Sequence, residues 1–179
     1  MRRTGRSTAK TPTFMSVLLV AIFTAVSAHQ AVAESWRGIV PLHSTLADVT
    51  RLLVKPFETL REGVRTYRTE TEFITIYTTR GDGCRSEDHF WEVADGTVSE
   101  IAVGWARGSR MLSDSGYVLS EFELVRDNTR KEDITYVDRN RGVTLYTEGE
   151  FLLSVHFLPN AADRRNFACS AKPSGQLVK

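Results

Sequence analysis

The chain has 179 residues, 41% of them hydrophobic, with 23 Lys or Arg against 22 Asp or Glu and a formal net charge of +1. That length suits one ordinary domain with a hydrophobic core of its own. The balanced charge excludes a strongly basic protein of the kind that binds polyanions.

The first 33 residues have the three parts of a secretory signal peptide. Four basic residues and no acidic ones precede an apolar run at 14–26, and Ala31-Val32-Ala33 offers small residues for cleavage. The apolar run is shorter than the roughly 20 residues that span a membrane. We therefore expect an exported protein, periplasmic or extracellular, whose mature chain begins at Glu34; an uncleaved membrane anchor is the alternative.

Without residues 1–33 the net charge becomes 19 − 22 = −3, because that segment holds four of the 23 basic residues and none of the 22 acidic ones. A weakly acidic domain lacks the positive charge that supplies much of the affinity for nucleic acid, so we expect no nucleic-acid partner. We also expect no membrane span in the mature chain and no cofactor. The sequence leaves the oligomeric state open.

Cys84 and Cys169 are the two cysteines of the chain. In an oxidising compartment an even pair is expected to form one disulfide, here Cys84–Cys169. A metal pair or free thiols are the alternatives, although two thiols are too few for a structural zinc site, which takes four ligands.

The segment 36–42 is apolar and predicts an extended stretch, after which residues 45–54 have the pattern of a short helix. Thr45 and Asp48 have the spacing of a capping box, and Pro56 ends the helical pattern. Helical spacing places four apolar residues on one stripe that we expect to face the core: Leu46, Val49, Leu52 and Leu53.

The rest of the chain predicts β-structure, since β-branched and aromatic runs alternate with turn residues. The predicted strands are 63–68, 72–79, 97–105, 133–138, 142–147 and 150–158. In the last strand we expect one face to carry Phe151, Leu153, Val155 and Phe157 and the other Glu150, Leu152, Ser154 and His156. Residues 170–179 are polar, with Pro and Gly, and predict a disordered tail.

Two stretches of the β region resemble each other. Tyr67 and Tyr77 are ten residues apart, as are Tyr136 and Tyr146, and residues 74–78 match residues 143–147. A tandem pseudo-repeat of about 36–106 and 112–169 would explain this, as would chance or two similar hairpins in one meander. The expected fold is α+β: one domain, 34–169, with an antiparallel sheet of two similar hairpin units and a short N-terminal helix packed on one face.

The stretch Trp36-Arg37-Gly38-Ile39-Val40-Pro41-Leu42-His43-Ser44-Thr45, followed by Asp48-Val49, resembles the opening segment of a group of uncharacterised exported bacterial proteins. In that group a W-x-G-I-x-P-L-x-S-T-x-x-D-V segment precedes a β-rich body with a P-x-x-x-D…C ending. Pro159, Asp163 and Cys169 fit the ending. The resemblance covers most of the mature chain and implies no activity.

A looser likeness links the chain to the outer-membrane assembly lipoproteins (SmpA/OmlA) and to β-lactamase-inhibitor-protein domains. Both open with a similar short helix before an antiparallel sheet. The chain departs from the lipoproteins because it has no lipidation cysteine, and because Val54-Lys55-Pro56 stands where they have Gly before Pro. The likeness implies a small α+β fold and a binding function, without assigning any residue.

The densest group of acidic and histidine residues is Glu87, Asp88, His89 and Glu92. It could supply metal ligands or an acid–base pair, although a solvated loop on an exported domain is the commoner explanation and we predict no metal site. Ser154 lies in mid-strand with no G-x-S-x-G turn, which gives serine catalysis no support. The sequence therefore favours a non-enzymatic binding module of the cell envelope with an envelope protein as partner. The alternative is a hydrolase that uses the Glu87 cluster.

Overall fold

The computed structural model describes residues 33–53, 55–80, 84, 91–106, 108, 110–126 and 133–169. The predicted signal peptide up to residue 32, the segments 81–83 and 85–90, and the predicted tail 170–179 lie outside the described residues. Two seven-residue helices lie in the described part of the chain, and no helix there is long and apolar enough to cross a membrane.

The first helix, α1, spans Leu46–Leu52 and begins with the predicted capping box. The Thr45 hydroxyl accepts a hydrogen bond from the backbone N–H of Asp48, and the Asp48 carboxylate accepts one from the backbone N–H of Thr45 at 2.7 Å. The backbone N–H of Thr45, and then its hydroxyl group, which donates to the Asp48 carboxylate at 2.8 Å, lower the pKa of Asp48. Leu53 is already extended, so the helix ends two residues before the predicted boundary.

In the described residues nine strands form one sheet, and every pair of neighbouring strands is antiparallel. They are β1 (Glu58–Arg61), β2 (Val64–Arg68), β3 (Glu72–Thr78), β4 (Val98–Trp105), β5 (Arg110–Met111), β6 (Glu123–Arg126), β7 (Asp133–Asp138), β8 (Val143–Glu148) and β9 (Phe151–Phe157). Short 3-10 helices at Leu112–Ser115 and Leu119–Glu121 lie between β5 and β6 in the chain. All six predicted strands are present, whereas β1, β5 and β6 were not predicted.

The strand order is β1-β2-β3-β4-β9-β8-β7-β6, and β5 pairs with β9 outside this path. Each half of the chain thus contributes a run of four sequential strands, and the two runs join through β4 and β9. At this junction Ile101 lies opposite Phe157 and Val103 opposite Val155. The architecture is α+β, as predicted, with the sheet as the dominant element.

The hydrophobic core lies on the face of the sheet that carries Ile74, Ile76, Ile101 and Leu145, and Val49 of α1 is buried in it. Leu46 and Leu53 pack against the same core, but Leu52 is 42% exposed, so its predicted place in the core is wrong. At 100° per residue Leu46 and Leu53 lie on one side of Val49, about 40–60° away, whereas Leu52 lies about 60° away on the other side.

A β-bulge in β9 overturns part of the predicted alternation. Tyr146 pairs with Ser154 but Thr147 pairs with Leu152, so Leu153 has no partner in β8. The extra residue turns Leu152 inwards, where it is 1% exposed, and leaves Phe151 48% and Leu153 43% exposed. The predicted inward positions of Phe151 and Leu153 are therefore wrong, while those of Val155 and Phe157 are confirmed. A bulge inserts one unpaired residue into a strand and needs no special residue type. The alternation of residue types in the sequence therefore does not show where a bulge lies.

The second helix, α2, spans Ala161–Phe167 and was not predicted. Asn160 caps it, because its side-chain oxygen accepts a hydrogen bond from the backbone N–H of Asp163 at 2.8 Å. Two residues beyond the helix, Cys169 forms the predicted disulfide with Cys84, with the Cα atoms 5.4 Å apart. The bridge fastens the end of α2 to the loop after β3.

Val49→Asp should unfold the protein, whereas Leu52→Asp should leave it folded. The first change buries an unpaired carboxylate in the core and should cost about 3–5 kcal/mol, while the second alters an exposed position and should cost less than about 0.5 kcal/mol. Urea denaturation followed by circular dichroism measures both. Equal loss of stability in the two variants would contradict this orientation of α1.

Loss of the disulfide should lower stability without changing the fold. The bridged cysteines are 85 residues apart, for which the loss of chain entropy gives an upper limit of about 4–5 kcal/mol. Urea titration of a Cys84→Ser/Cys169→Ser double variant measures the effect. A reductant should shift the wild-type midpoint towards that of the variant and leave the variant itself unchanged; an unshifted wild type would argue against the bridge.

Candidate functional site

The side of the sheet opposite the core, here called the outer face, carries a connected group of polar side chains. Successive residues of a strand point to opposite faces, so Glu100 on β4 faces away from Ile101. By the same rule Ser154 and His156 of β9 face away from Val155. The register of β4 with β9 brings these three side chains together at the centre of the sheet.

His156 connects the other two side chains. Its Nδ1 lies 2.6 Å from Oε1 of Glu100, and its Nε2 lies 3.2 Å from Oγ of Ser154. The arrangement suits a neutral ring whose Nδ1–H donates to the carboxylate while Nε2 accepts from the serine hydroxyl. The His156 and Glu100 side chains are only 20% and 28% exposed, so the pair is largely withdrawn from water.

Two tyrosines flank this group. Tyr77 lies directly opposite Glu100 in the β3–β4 register, and the ring of Tyr146 lies 4.6 Å from the ring of His156. Burial, and then the charge of Glu100, raise the pKa of both tyrosines. Both hydroxyl groups therefore keep their protons at neutral pH, and the carboxylate lies near both.

Small residues form the floor of the site on β4. Ala102 lies opposite His156 and Gly104 opposite Ser154. A Cβ atom built at Gly104 would meet only the carbonyl oxygen of Leu153, at 3.6 Å. The space over Ser154 is thus open, and a group from outside could reach the serine and histidine across Gly104.

A helix borders the outer face near Thr144, which pairs with His156 from β8. A small cavity of about 90 Å³ lies there, lined among others by Val137, Thr144, Ala161 and Arg164. Thr144 is buried, in contrast to the exposed Tyr146. The accessible part of the site therefore lies towards Ser154 and Tyr146.

The order serine, histidine, carboxylate is that of a nucleophile, its base and the group that orients the base. Acyl transfer also needs N–H donors aimed at the developing oxyanion. Ser154 pairs with Gly104 on one side and Tyr146 on the other, so its backbone lies within the ladder of a central strand. In the described residues this site is better equipped to hold a ligand than to stabilise an oxyanion.

The structure does not test the predicted acidic group, because Glu87, Asp88 and His89 lie outside the described residues. Glu92 is exposed, and its backbone N–H donates to the carbonyl of Phe167 at 2.6 Å. Among the residues that the structure describes, no group of three or more His, Cys, Asp or Glu side chains could hold a metal ion.

His43 has a partner that the sequence did not reveal. Its Nε2 lies 2.9 Å from Oδ1 of the buried Asp163, and its ring meets Phe167 edge to face at 5.7 Å. Asp163 Oδ2 is buried without a hydrogen-bond partner. The contact holds α2 against the opening segment, which gives Asp163 a structural role.

A second cluster holds the start of the described chain. Arg141 Nε donates to Glu34 at 2.7 Å, its guanidinium lies 5.4 Å from the ring centre of Tyr117, and the backbone N–H of Glu34 donates to the carbonyl of Arg141 at 2.7 Å. The Tyr117 hydroxyl donates to Glu34 at 3.4 Å. Burial and then the charge of Glu34 raise the pKa of Tyr117 to about 12.

Strand alternation placed Ser154 and His156 on one face of β9 without assigning them to a site, and it gave no sign of Glu100. Ser154 and His156 are two apart in one strand, so alternation alone assigns them to a shared face. Glu100 is 56 residues away from His156, and a shared face becomes contact only through the β4–β9 pairing. No local pattern signals that pairing.

No family model matches the chain, and neither the comparison with curated proteins nor that with solved structures finds a match.

The stability of the protein should fall as the pH rises from about 10 to about 12. Tyr117 has a pKa of about 12 in the folded protein against 10.0 for an ordinary tyrosine, so the folded state holds a proton that the unfolded state has lost. The stabilisation is complete below pH 10 and is lost as the pH passes 12. Urea midpoints at several alkaline pH values should show a shallower decline in Tyr117→Phe than in the wild type; identical slopes would contradict the assignment.

Proposed function

We propose that the chain is an exported protein of the cell envelope that binds a protein partner through the outer face of its sheet. The observation that carries this proposal is the group Glu100–His156–Ser154, which lies half-buried at the centre of that face with tyrosines beside it. Polar side chains held in fixed positions among aromatic rings suit recognition, because little ordering entropy remains to be lost on binding.

Export is supported by two features. The first 33 residues have the composition of a signal peptide, and the Cys84–Cys169 disulfide fits an oxidising compartment. The likeness to exported bacterial proteins points the same way and belongs to this proposal. An envelope location would make another envelope protein the natural partner.

We further propose that the two four-strand runs arose by tandem duplication. In its support, Tyr67 and Tyr77 lie on the second and third strands of one run, as do Tyr136 and Tyr146 in the other. The two hairpins differ in register, since Tyr67 pairs with Ile74 but Tyr136 with Leu145, which aligns with Ile76. The two copies would therefore have diverged in the register of this hairpin. The outer face at the β4–β9 junction would exist only where the two copies are joined, and not in either copy alone.

Ser154→Arg should abolish partner binding, because the new side chain would cover the site. The protein should stay folded, because the change leaves the core-facing side chains of β9 as they are. A photo-reactive side chain at the exposed Leu153, next to Ser154, introduced in cells of the source organism, should give one discrete cross-linked product. Ser154→Arg should remove that product. Ser120→Arg, a matched change at an exposed position outside the sheet, should retain it.

Thermal denaturation of both Arg variants controls for folding, and a change of more than about 1 kcal/mol would disqualify the variant. An absent cross-link in the wild type, or one that survives Ser154→Arg, would overturn the proposed docking face.

A second candidate function is acyl transfer by Ser154, which the hydrogen bonds through His156 to Glu100 favour. In that case a fluorophosphonate should form a covalent bond to Ser154 Oγ with loss of fluoride. Intact mass before and after treatment, with Ser154→Ala and His156→Gln as controls, decides between the two functions. No adduct on the wild type leaves binding as the function.

A further inference from the structure

We infer that the outer face recognises a lysine side chain of its partner, with the ammonium group on Glu100 between Tyr77 and Tyr146. This inference rests on the proposed docking face and specifies its chemistry. It starts from the Glu100 carboxylate, whose Oε1 is taken by His156 at 2.6 Å. Among the described residues Oε2 has no hydrogen-bond partner, and the side chain is 28% exposed, so this oxygen is available to a partner.

The aromatic rings beside Glu100 suit a cation. Tyr77 lies across from Glu100 on β3, and Tyr146 reaches the site from β8 on the other side of His156. An ammonium group gains from the negative face of a tyrosine ring as well as from a carboxylate, most of all where water is partly excluded. A carboxylate between two tyrosines is therefore matched to a positive group of small size.

The number of free carboxylate oxygens on Glu100 distinguishes a lysine ligand from an arginine ligand. A guanidinium group pairs best with both oxygens of a carboxylate at once, through two parallel hydrogen bonds. At Glu100 one oxygen is already occupied by His156, which leaves room for a single contact. An ammonium group is a point charge that needs only one such contact, so lysine should bind more tightly than arginine.

The charge of Arg61 opposes this ligand. The positive charge of Arg61, on the edge strand β1, lowers the pKa of Tyr77 and therefore acts at the same place. A partner cation would be repelled by it, although the predicted mature chain as a whole carries −3. Removal of the Arg61 charge should consequently strengthen binding.

The test is a titration of the isotope-labelled protein, produced with its own leader and purified after export, with three capped tripeptides. They are acetyl-Thr-Lys-Thr-amide, its arginine counterpart and its norleucine counterpart, which has a similar length and no charge. In nitrogen–proton correlation spectra the lysine peptide should shift the resonances of Tyr77, Glu100 and Tyr146. It should bind about fivefold to tenfold more tightly than the norleucine peptide.

Glu100→Gln should remove the preference for lysine, and Arg61→Gln should strengthen lysine binding by about twofold. Glu58→Gln, a matched change at an exposed position of β1, should have no effect. Because a change at Glu100 could disturb the sheet, Tyr146→Leu serves as a second variant that leaves the carboxylate in place and should weaken the lysine peptide. Spectral dispersion reports the fold of each variant.

The inference is overturned if norleucine binds as well as lysine, if arginine binds more tightly, or if Glu100→Gln keeps the preference. These outcomes leave the docking face intact as long as Ser154→Arg still removes the cross-link at Leu153. A cross-link that survives Ser154→Arg overturns the proposed function itself, whatever the peptides show.

Discussion

The pairing of β4 with β9 joins the two halves of the sheet, and both faces of the protein depend on it. On the core side it sets Ile101 against Phe157 and Val103 against Val155. On the outer side the same register brings Glu100 to His156, 56 residues away in sequence. The residues that stabilise the junction and those that form the site alternate along the same two strands, so neither set can shift in register without the other.

The site holds a carboxylate at a depth where an isolated charge is costly. The contact of His156 Nδ1 with Glu100 Oε1 at 2.6 Å offsets part of the lost hydration. A hydrogen-bonded chain of this kind restricts the rotamers of its members, which explains how side chains on a flat sheet keep fixed positions.

Local patterns predicted the elements that depend on local physics. The Thr45–Asp48 capping box predicted where α1 begins, and period-two alternation predicted six strands.

Three kinds of feature could not be predicted from local patterns. β1 and β6 are short edge strands with mostly exposed side chains, so burial imposes no alternation on them. The bulge at Leu153 reset the inward and outward positions of β9, and Glu100 required a long-range pairing. The α2 cap at Asn160, with Asp163 three residues later, was a local signal that could have been read.

The position of β9 as the last strand in the described part of the chain has a consequence for how the protein must assemble. As the chain emerges from a ribosome or a translocation channel, β1 to β4 appear first and can pair with one another. The edge of β4, which carries Ile101 and Val103, then stays unpaired until β9 emerges about fifty residues later. An unpaired apolar edge is a template for aggregation with other chains. During that interval a chaperone that shields strand edges would be needed most, and substitutions that slow the arrival of β9 would lower yield more than they lower the stability of the finished fold.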